Sequence, residues 1–486
     1  MATPDWTGTR EAAPGSHMHV VYKKRDRHQK QGGRQREHAR CRAFALDRLA
    51  TSLRWRELPT ELRRTRGVTV DVALFCVGFA LLRALAQFGH YPVHLPDTHL
   101  FMHLNFLGNG GVERLWTTPL LYKLVPNDDA RVVAQLLIGI ACWSALAFAV
   151  AYSLTSRVLA RVGAVLVLLL GLCAQVTEWD TILMSESLAL SLLALLVASL
   201  LWLRLRPTRW RVIATLAVVV LWDFNKQFQA TLFIPIASVV IAWILLRHRR
   251  LIVVAVALAA IAAWGGYATV ASGKANMHFN ANDIMVFRIL KTPGGEAYFA
   301  RRGMPMAALN KEEADVTFDT ITWEDRLPVL TDPEWYEWID SHWLTTYAGW
   351  LLRHPVTAIK APLLDAPRTI SGFNGYADER PVLPGPIQDT IWNRDENSGE
   401  LGFFAVLTFV LWLVSLRAPR RNNLDAWAAG MLAVTVVWYY AGWHLVPTEL
   451  QRIETPAAAA LRLGLLILSL TAVDRLLSAR HLDSPR

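Results

Sequence analysis

From residue 68 onward the chain is built of long apolar runs separated by short polar breaks. Ten runs are legible: 68–88, 131–153, 162–177, 182–204, 210–222, 230–247, 251–271, 401–417, 424–443 and 457–474. A helix needs about 20 residues to cross a bilayer. The third and fifth runs are short for that, which predicts broken or tilted helices there and a count between nine and twelve. The pattern predicts an all-α polytopic membrane protein of about ten transmembrane helices. One module occupies 68–271 and a second 401–486.

Between the runs lie two long polar segments, 89–130 and 272–400. The second is too long for a simple connector and predicts a small loop domain. Within it, Pro333 to Leu352 reads as a helix, with Thr331 or Asp332 as its cap and Pro333 in its first turn. Residues 355–400 hold many prolines and read as irregular. At the other end of the chain, residues 1–45 are polar and Gly- and Arg-rich, which predicts disorder. Residues 46–66 mix Leu, Trp and Arg as an interfacial amphipathic helix would. The chain shows no internal repeat, and its polar start offers no cleavable signal peptide.

Charge sets the expected orientation. The formal net charge is +10, and residues 1–67 hold 16 Lys and Arg against 7 Asp and Glu, so 16 − 7 = +9 sits in that basic tail. Arg157 and Arg161, then Arg204 to Arg211, Arg247 to Arg250, Arg417 to Arg421 and Arg475 to Arg486 all fall on the tail's side if there are ten spans. The acids Glu178, Asp180, Asp223, Glu449 and Glu454 fall on the other. The positive-inside rule then puts both termini in the cytoplasm of a multi-pass cell-membrane protein, with the active face outside. No aromatic recognition module accompanies the basic tail, so no nucleic-acid partner is expected. Cys41, Cys76, Cys142 and Cys173 avoid the large loop, so no disulfide framework is implied.

Four polar clusters fall on the expected outer face. Asp97 precedes His99 and His103, and helical spacing would put both imidazoles on one side. That set suits a divalent cation or a general base; equally, Asp97 could cap a short helix. Glu178, Asp180 and Glu186 form the second cluster. Glu186 lies inside an apolar run, where a carboxylate lines a cavity or pairs with a cation. Lys226 is an outside cation among amides, fit for a phosphate or for snorkelling. Arg452 could grip phosphate with its planar fork, or pair with Glu449 or Glu454. The chain has no nucleotide loop, zinc spacing or nucleophile elbow. Chemistry outside would then need a substrate activated in advance.

The order of these motifs resembles the C-type glycosyltransferase superfamily, polytopic enzymes that use polyprenyl-phosphate sugars. The shared pattern is one span and then a long outer loop with an acid, here Asp97. A proline-containing return follows, here Trp116 to Leu121, and then a span entered through Ser185-Glu186-Ser187-Leu188. An Arg and a Pro, here Arg452 and Pro456, precede a late span. Many members carry a second acid in the first loop; here the next one is Glu113. The resemblance implies that Asp97 is the catalytic base and that Lys226 and Arg452 face the lipid phosphate; Glu178, Asp180 and Glu186 stand beside it as candidate supporting acids, or as structural hydrogen bonds between spans. The implied partners are a polyprenyl-phosphate-linked sugar and an envelope glycan, lipid or protein acceptor. Other classes stand beside it: a polysaccharide polymerase or lipid-glycan flippase, and a non-catalytic membrane protein or transporter.

Overall fold

The computed structural model describes residues 58–106, 114–248, 251–290, 292–305, 332–371, 382–392, 399–418, 423–446 and 450–483. The described residues from Gly67 onward form one compact unit. The segment expected to be disordered, and all but residues 58–66 of the expected amphipathic helix, lie outside the described residues.

Sixteen α-helices are described. The first four are α1 (Leu58–Gln87), α2 (Thr117–Leu124), α3 (Asp128–Ser153) and α4 (Arg157–Gly171). The next five are α5 (Ala174–Thr177), α6 (Glu186–Leu205), α7 (Arg209–Asp223), α8 (Gln227–Arg247) and α9 (Ile252–Ile284). Then come α10 (Gly295–Ala300), α11 (Pro333–Arg353), α12 (Pro355–Ser371) and α13 (Gly385–Trp392). The last are α14 (Gly399–Ser415), α15 (Leu424–Leu445) and α16 (Leu450–Asp483). Among the described residues there is no strand, and the one isolated β-bridge joins Val93 to Ile182.

This is an all-α, multi-pass membrane protein. Among the described residues, seven helices are long and apolar enough to cross a bilayer, and eight if the bent pair Arg157–Gly171 and Ala174–Asp180 makes one span. The expected count of ten is not confirmed: α7 and α14, at 15 and 17 residues, fall short of the length a full crossing needs. Exposed apolar side chains such as Leu74 on α1 and Phe403 on α14 suit contact with lipid tails.

Close approach of the helices depends on small residues. Ala457 to Ala460 on α16 are all buried. A β-carbon on Gly163 would lie 2.9 Å from Leu470 Cδ1, and one on Gly464 2.7 Å from Leu432 Cδ2. Helices in lipid gain little from the hydrophobic effect on pairing, so backbone proximity of this kind supplies the packing. At the end of the bundle where α3 meets α4, the Asp474 carboxylate accepts from Thr155 N (3.0 Å) and Ser156 N (2.8 Å). Near it, Arg161 pairs with Asp71 at 2.6 Å.

The third run breaks as expected, and the cause is visible. The chain turns by 62° after Gly171. Arg83, buried within α1, grips both sides of the break. Its Nε and Nη2 donate to Asp180 Oδ2 (2.8 Å) and Oδ1 (3.0 Å), and its Nη1 donates to the Gly171 carbonyl (3.3 Å). Gly139 on α3 makes the room, since a β-carbon there would meet Arg83 Nη2 at 2.6 Å. The carbonyl that the helix end leaves without an intrahelical partner is thus satisfied by a guanidinium.

The described parts of the 272–400 segment are largely helical. Helix α11 has the predicted cap: Asp332 Oδ1 accepts from Glu334 N (2.8 Å) and Trp335 N (3.3 Å). Trp335, Trp338, Trp343 and Trp350 pack with Ile284, Met285 and Phe299 into a hydrophobic cluster separate from that of the bundle. Residues 355–371 and 385–392 are helical, which corrects the irregular reading of 355–400. The correction has a physical reason. Pro362 has no N–H, so the Ala358 carbonyl one turn earlier loses its helix partner. His444 of α15 supplies one, with Nε2 3.0 Å from Ala358 O. Tyr439 and Tyr440 donate to the carbonyls of Pro362 (2.6 Å) and Ile359 (3.1 Å). His444 thus replaces the donor that Pro362 lacks, and the two tyrosines add bonds from α15 along the same helix.

Removing one partner of a buried ion pair costs about 3–5 kcal/mol. Arg83→Leu and Asp180→Leu should each lower the apparent melting temperature of the solubilised protein sharply. The double variant should lose less than the two single losses added together; strict additivity would contradict the clamp.

Candidate functional site

The short segment 172–185 organises the site. Asp180 fixes one part of it to α1, and Ser187 Oγ adds a bond to Asp180 Oδ1 (3.0 Å). Gln135 of α3 fixes more, donating to the carbonyls of Asp180 (3.0 Å) and Ile182 (3.2 Å). The anchored strip then holds two other segments. Val93 N donates to Thr181 O (2.9 Å) and Leu183 N to Val93 O (3.0 Å), which pins the loop that carries Asp97. Asn225 Nδ2 donates to Ser185 O (3.0 Å), while Asn225 Oδ1 accepts from Thr118 Oγ1 (2.8 Å). Those bonds pin the α7–α8 turn just before Lys226.

Five charged side chains meet where these segments converge. Asp97 Oδ2 accepts from Arg114 Nη2 at 2.7 Å and from Arg452 Nη2 at 3.2 Å. Glu186 Oε1 accepts from Arg452 Nε at 3.0 Å and from Lys226 Nζ at 2.9 Å. Arg452 therefore bridges the two carboxylates. Three cations face two anions, a formal surplus of one positive charge. The Glu186 side chain is 1% exposed and that of Asp97 33%, so the cluster runs from the interior toward an opening. Burial pushes the Lys226 ammonium below the usual lysine range; the Glu186 charge opposes the shift and Arg452 adds to it. Burial, helped by the Glu186 charge, pushes the Tyr122 phenol well up, and Tyr122 donates to Gln135 Oε1 (2.8 Å).

Of the sequence-predicted residues, Asp97, Glu186, Lys226 and Arg452 come together in this cluster. Asp180 does not join it, because its carboxylate is committed to Arg83 and Ser187. Glu178 is buried in the same anchored turn, with its carbonyl accepting from Thr181 Oγ1 (3.0 Å). The reading of Asp97 as a helix cap is corrected. The short 3₁₀ helix Pro96–Phe101 starts after Leu95, whose N–H donates to Thr98 Oγ1 (2.9 Å). That helix ends at Phe101, so His99 and His103 do not share a helical face. His99 Nδ1 lies 2.6 Å from Pro96 O, and both imidazoles are exposed. Among the described residues, no three His, Cys, Asp or Glu side chains stand close enough to hold a metal ion. Arg452 pairs with Glu186 and Asp97, while Glu454 Oε1 and Oε2 have no hydrogen-bond partner among the described residues. Glu449 lies outside the described residues.

Arg114 was missed. Its signal was weak, an arginine in the same polar loop as Asp97, two residues before Trp116. Arg83 was also missed, though a lone arginine inside an apolar run is a standing sign of a buried partner.

Glu186→Gln would leave Lys226 and Arg452 buried without their shared charge. The expected loss is about 3 kcal/mol or more of stability, and Lys226→Met in the same chain should restore part of it. A double variant as unstable as the sum of the singles would remove Glu186 as the bridge. The sequence matches no family model, no curated protein and no solved structure.

Proposed function

We propose that the protein is an extracytoplasmic glycosyltransferase that moves a sugar from a polyprenyl-phosphate donor to a cell-envelope acceptor. One observation carries the reading. Four segments far apart in sequence deliver Arg114, Lys226 and Arg452 to the same place as Asp97 and Glu186, with cations in excess. A surplus of buried positive charge at one end of a helix bundle suits an anionic headgroup arriving from the bilayer.

In the resting state Arg114 and Arg452 both bind Asp97. A donor phosphate competes for the same guanidinium groups, because phosphate oxygens accept the same charge-assisted bonds. Its arrival releases the Asp97 carboxylate to take the proton of the acceptor hydroxyl. The acceptor oxygen then forms a bond to the anomeric carbon. The bond from that carbon to the phosphate oxygen breaks, and the electron pair leaves with the polyprenyl phosphate. Arg114, Arg452 and Lys226 stabilise the charge that builds on the leaving group. Glu186 keeps Lys226 and Arg452 in place throughout.

A second reading has its own observation. Asp223 and Glu454 are fully buried, and neither has a hydrogen-bond partner among the described residues. A buried carboxyl in a spanning helix, as Glu454 is in α16, marks proton relays in transporters, which favours proton-coupled movement of a lipid-linked glycan.

Profiling of membrane glycolipids and envelope glycans separates the two. Asp97→Asn should retain expression yet lose one sugar from one glycan, with transfer down about 10²–10⁴-fold. Arg452→Gln should weaken transfer about 10²-fold or more. An unchanged profile in both Asp97→Asn and a full deletion would sink the transferase reading. Loss only in Asp223→Asn and Glu454→Gln would favour transport.

A further inference from the structure

Helix α12 is not one of the helices long and apolar enough to span a membrane, yet it runs alongside two that are. Its first turn is tied to the last turn of α15, where His444 Nε2 lies 3.0 Å from Ala358 O. Tyr439, more than a turn earlier in α15, donates to the Pro362 carbonyl at 2.6 Å. At the far end of α12, the Ile370 carbonyl accepts from Arg462 Nη2 at 3.2 Å. Arg462 lies within the apolar stretch Arg452–Ala479 of α16. Its Cα is about 15 Å along the helix axis from that of Arg452, at 1.5 Å per residue. Helix α12 therefore starts beside the end of the bundle that holds the charged cluster and descends toward its middle.

Two observations say what surrounds it there. The first is Arg462 itself. It is 5% exposed, and among the described residues no carboxylate pairs with it. Its donors go to backbone carbonyls instead: Nη1 to Ala458 (2.9 Å), and Nη2 to Ile370 and to Trp392, the last residue of α13. Its guanidinium also stands over the Trp392 ring, 4.3 Å from the centroid, and Trp392 Nε1 donates to Ser371 O at 2.7 Å. One buried cation thus serves the carbonyls that the ends of α12 and α13 leave without helix partners. Carbonyls facing water need no such service, whereas in hydrocarbon each unpaired one is costly.

The second observation is the outward face. Val356, Ile359 and Leu363 follow one another at helical spacing and form a stripe, 72%, 58% and 56% exposed. Lys360 and Arg368 fall on a different edge of the helix, where long cationic side chains can reach back to lipid headgroups. An exposed apolar stripe on a helix packed against two spans, at the depth of Arg462, meets acyl chains.

We propose that α12 is a re-entrant membrane helix. It enters the leaflet on the side of the charged cluster, presents Val356, Ile359 and Leu363 to acyl chains, and ends partway across the bilayer, where Arg462 closes its carbonyl end. Part of the 272–400 segment is then membrane rather than loop. The inference does not rest on the transferase reading.

The test uses the full chain with Cys41, Cys76, Cys142 and Cys173 replaced by Ala, in liposomes of phosphatidylcholine and phosphatidylglycerol. A nitroxide is attached singly at Val356→Cys and Leu363→Cys, and at Glu334→Cys in the first turn of α11 as the control in water. Ile359→Cys replaces either stripe position if labelling there unfolds the chain. Electron paramagnetic resonance then compares collisions with oxygen, which concentrates in the bilayer, and with a water-soluble nickel chelate. Oxygen should dominate at both stripe positions, with Leu363 deeper than Val356 by up to about 10 Å. Arg462→Leu should shift the Leu363 label toward the nickel chelate. Nickel dominating at Leu363 would put the stripe in water, and few collisions with either reagent would put it under protein. Equal depth at the two positions would make α12 a surface helix. Each of these three results would overturn the re-entrant helix, and an unmoved label in Arg462→Leu would remove Arg462 as its anchor. No sugar or donor enters these measurements, so they fail or succeed apart from the glycan profiles.

Discussion

The guanidinium of Arg83 is the constraint from which the rest of the site follows. A cation inside an apolar helix is costly unless every donor is used. Here one fork closes on a carboxylate and on the last carbonyl of a broken helix. The break that results would otherwise leave backbone groups without partners in the least forgiving solvent a protein meets. Once it is held, segment 172–185 becomes a rigid strip. The loop with Asp97 and the turn with Lys226 are then fastened to the strip by backbone bonds and one asparagine, and Thr117 and Thr118 tie the two to each other.

This explains how a cluster with a surplus of like charge can exist. Arg452 touches both carboxylates, and Glu186 touches two cations, so no single charge is left alone. The repulsion that remains is borne by elements already fixed. Such an arrangement is pre-organised: on the proposed reading, little has to be ordered when an anion arrives, and the groups it would release are carboxylates already poised beside it.

Much of this was legible in the sequence. Hydrophobic runs located the helices, and the Asp332-Pro333 cap located α11, because both signals are local. Asp97, Glu186, Lys226 and Arg452 stood out because charge in or beside apolar runs is rare. Their partners were not legible. Arg114 and Arg452 meet at Asp97 across 17 and 355 residues, and no spacing rule reaches that far. The histidine pair failed for the opposite reason: helical spacing was assumed where a short 3₁₀ turn ends. Pro362 of α12 misled because the donor it lacks is replaced by His444, from a helix that follows much later in the chain.

That last dependence bears on how the protein is made. Tyr439, Tyr440 and His444 leave the ribosome after the carbonyls of α12 that they satisfy, and Asp180 follows Arg83 by 97 residues. The first span therefore enters the membrane with an arginine that has no mate, and α12 waits for α15 before its backbone is complete. Assembly cannot finish helix by helix in order of synthesis. The early elements must be held, by water, lipid headgroups or the insertion machinery, until the late ones arrive to close them.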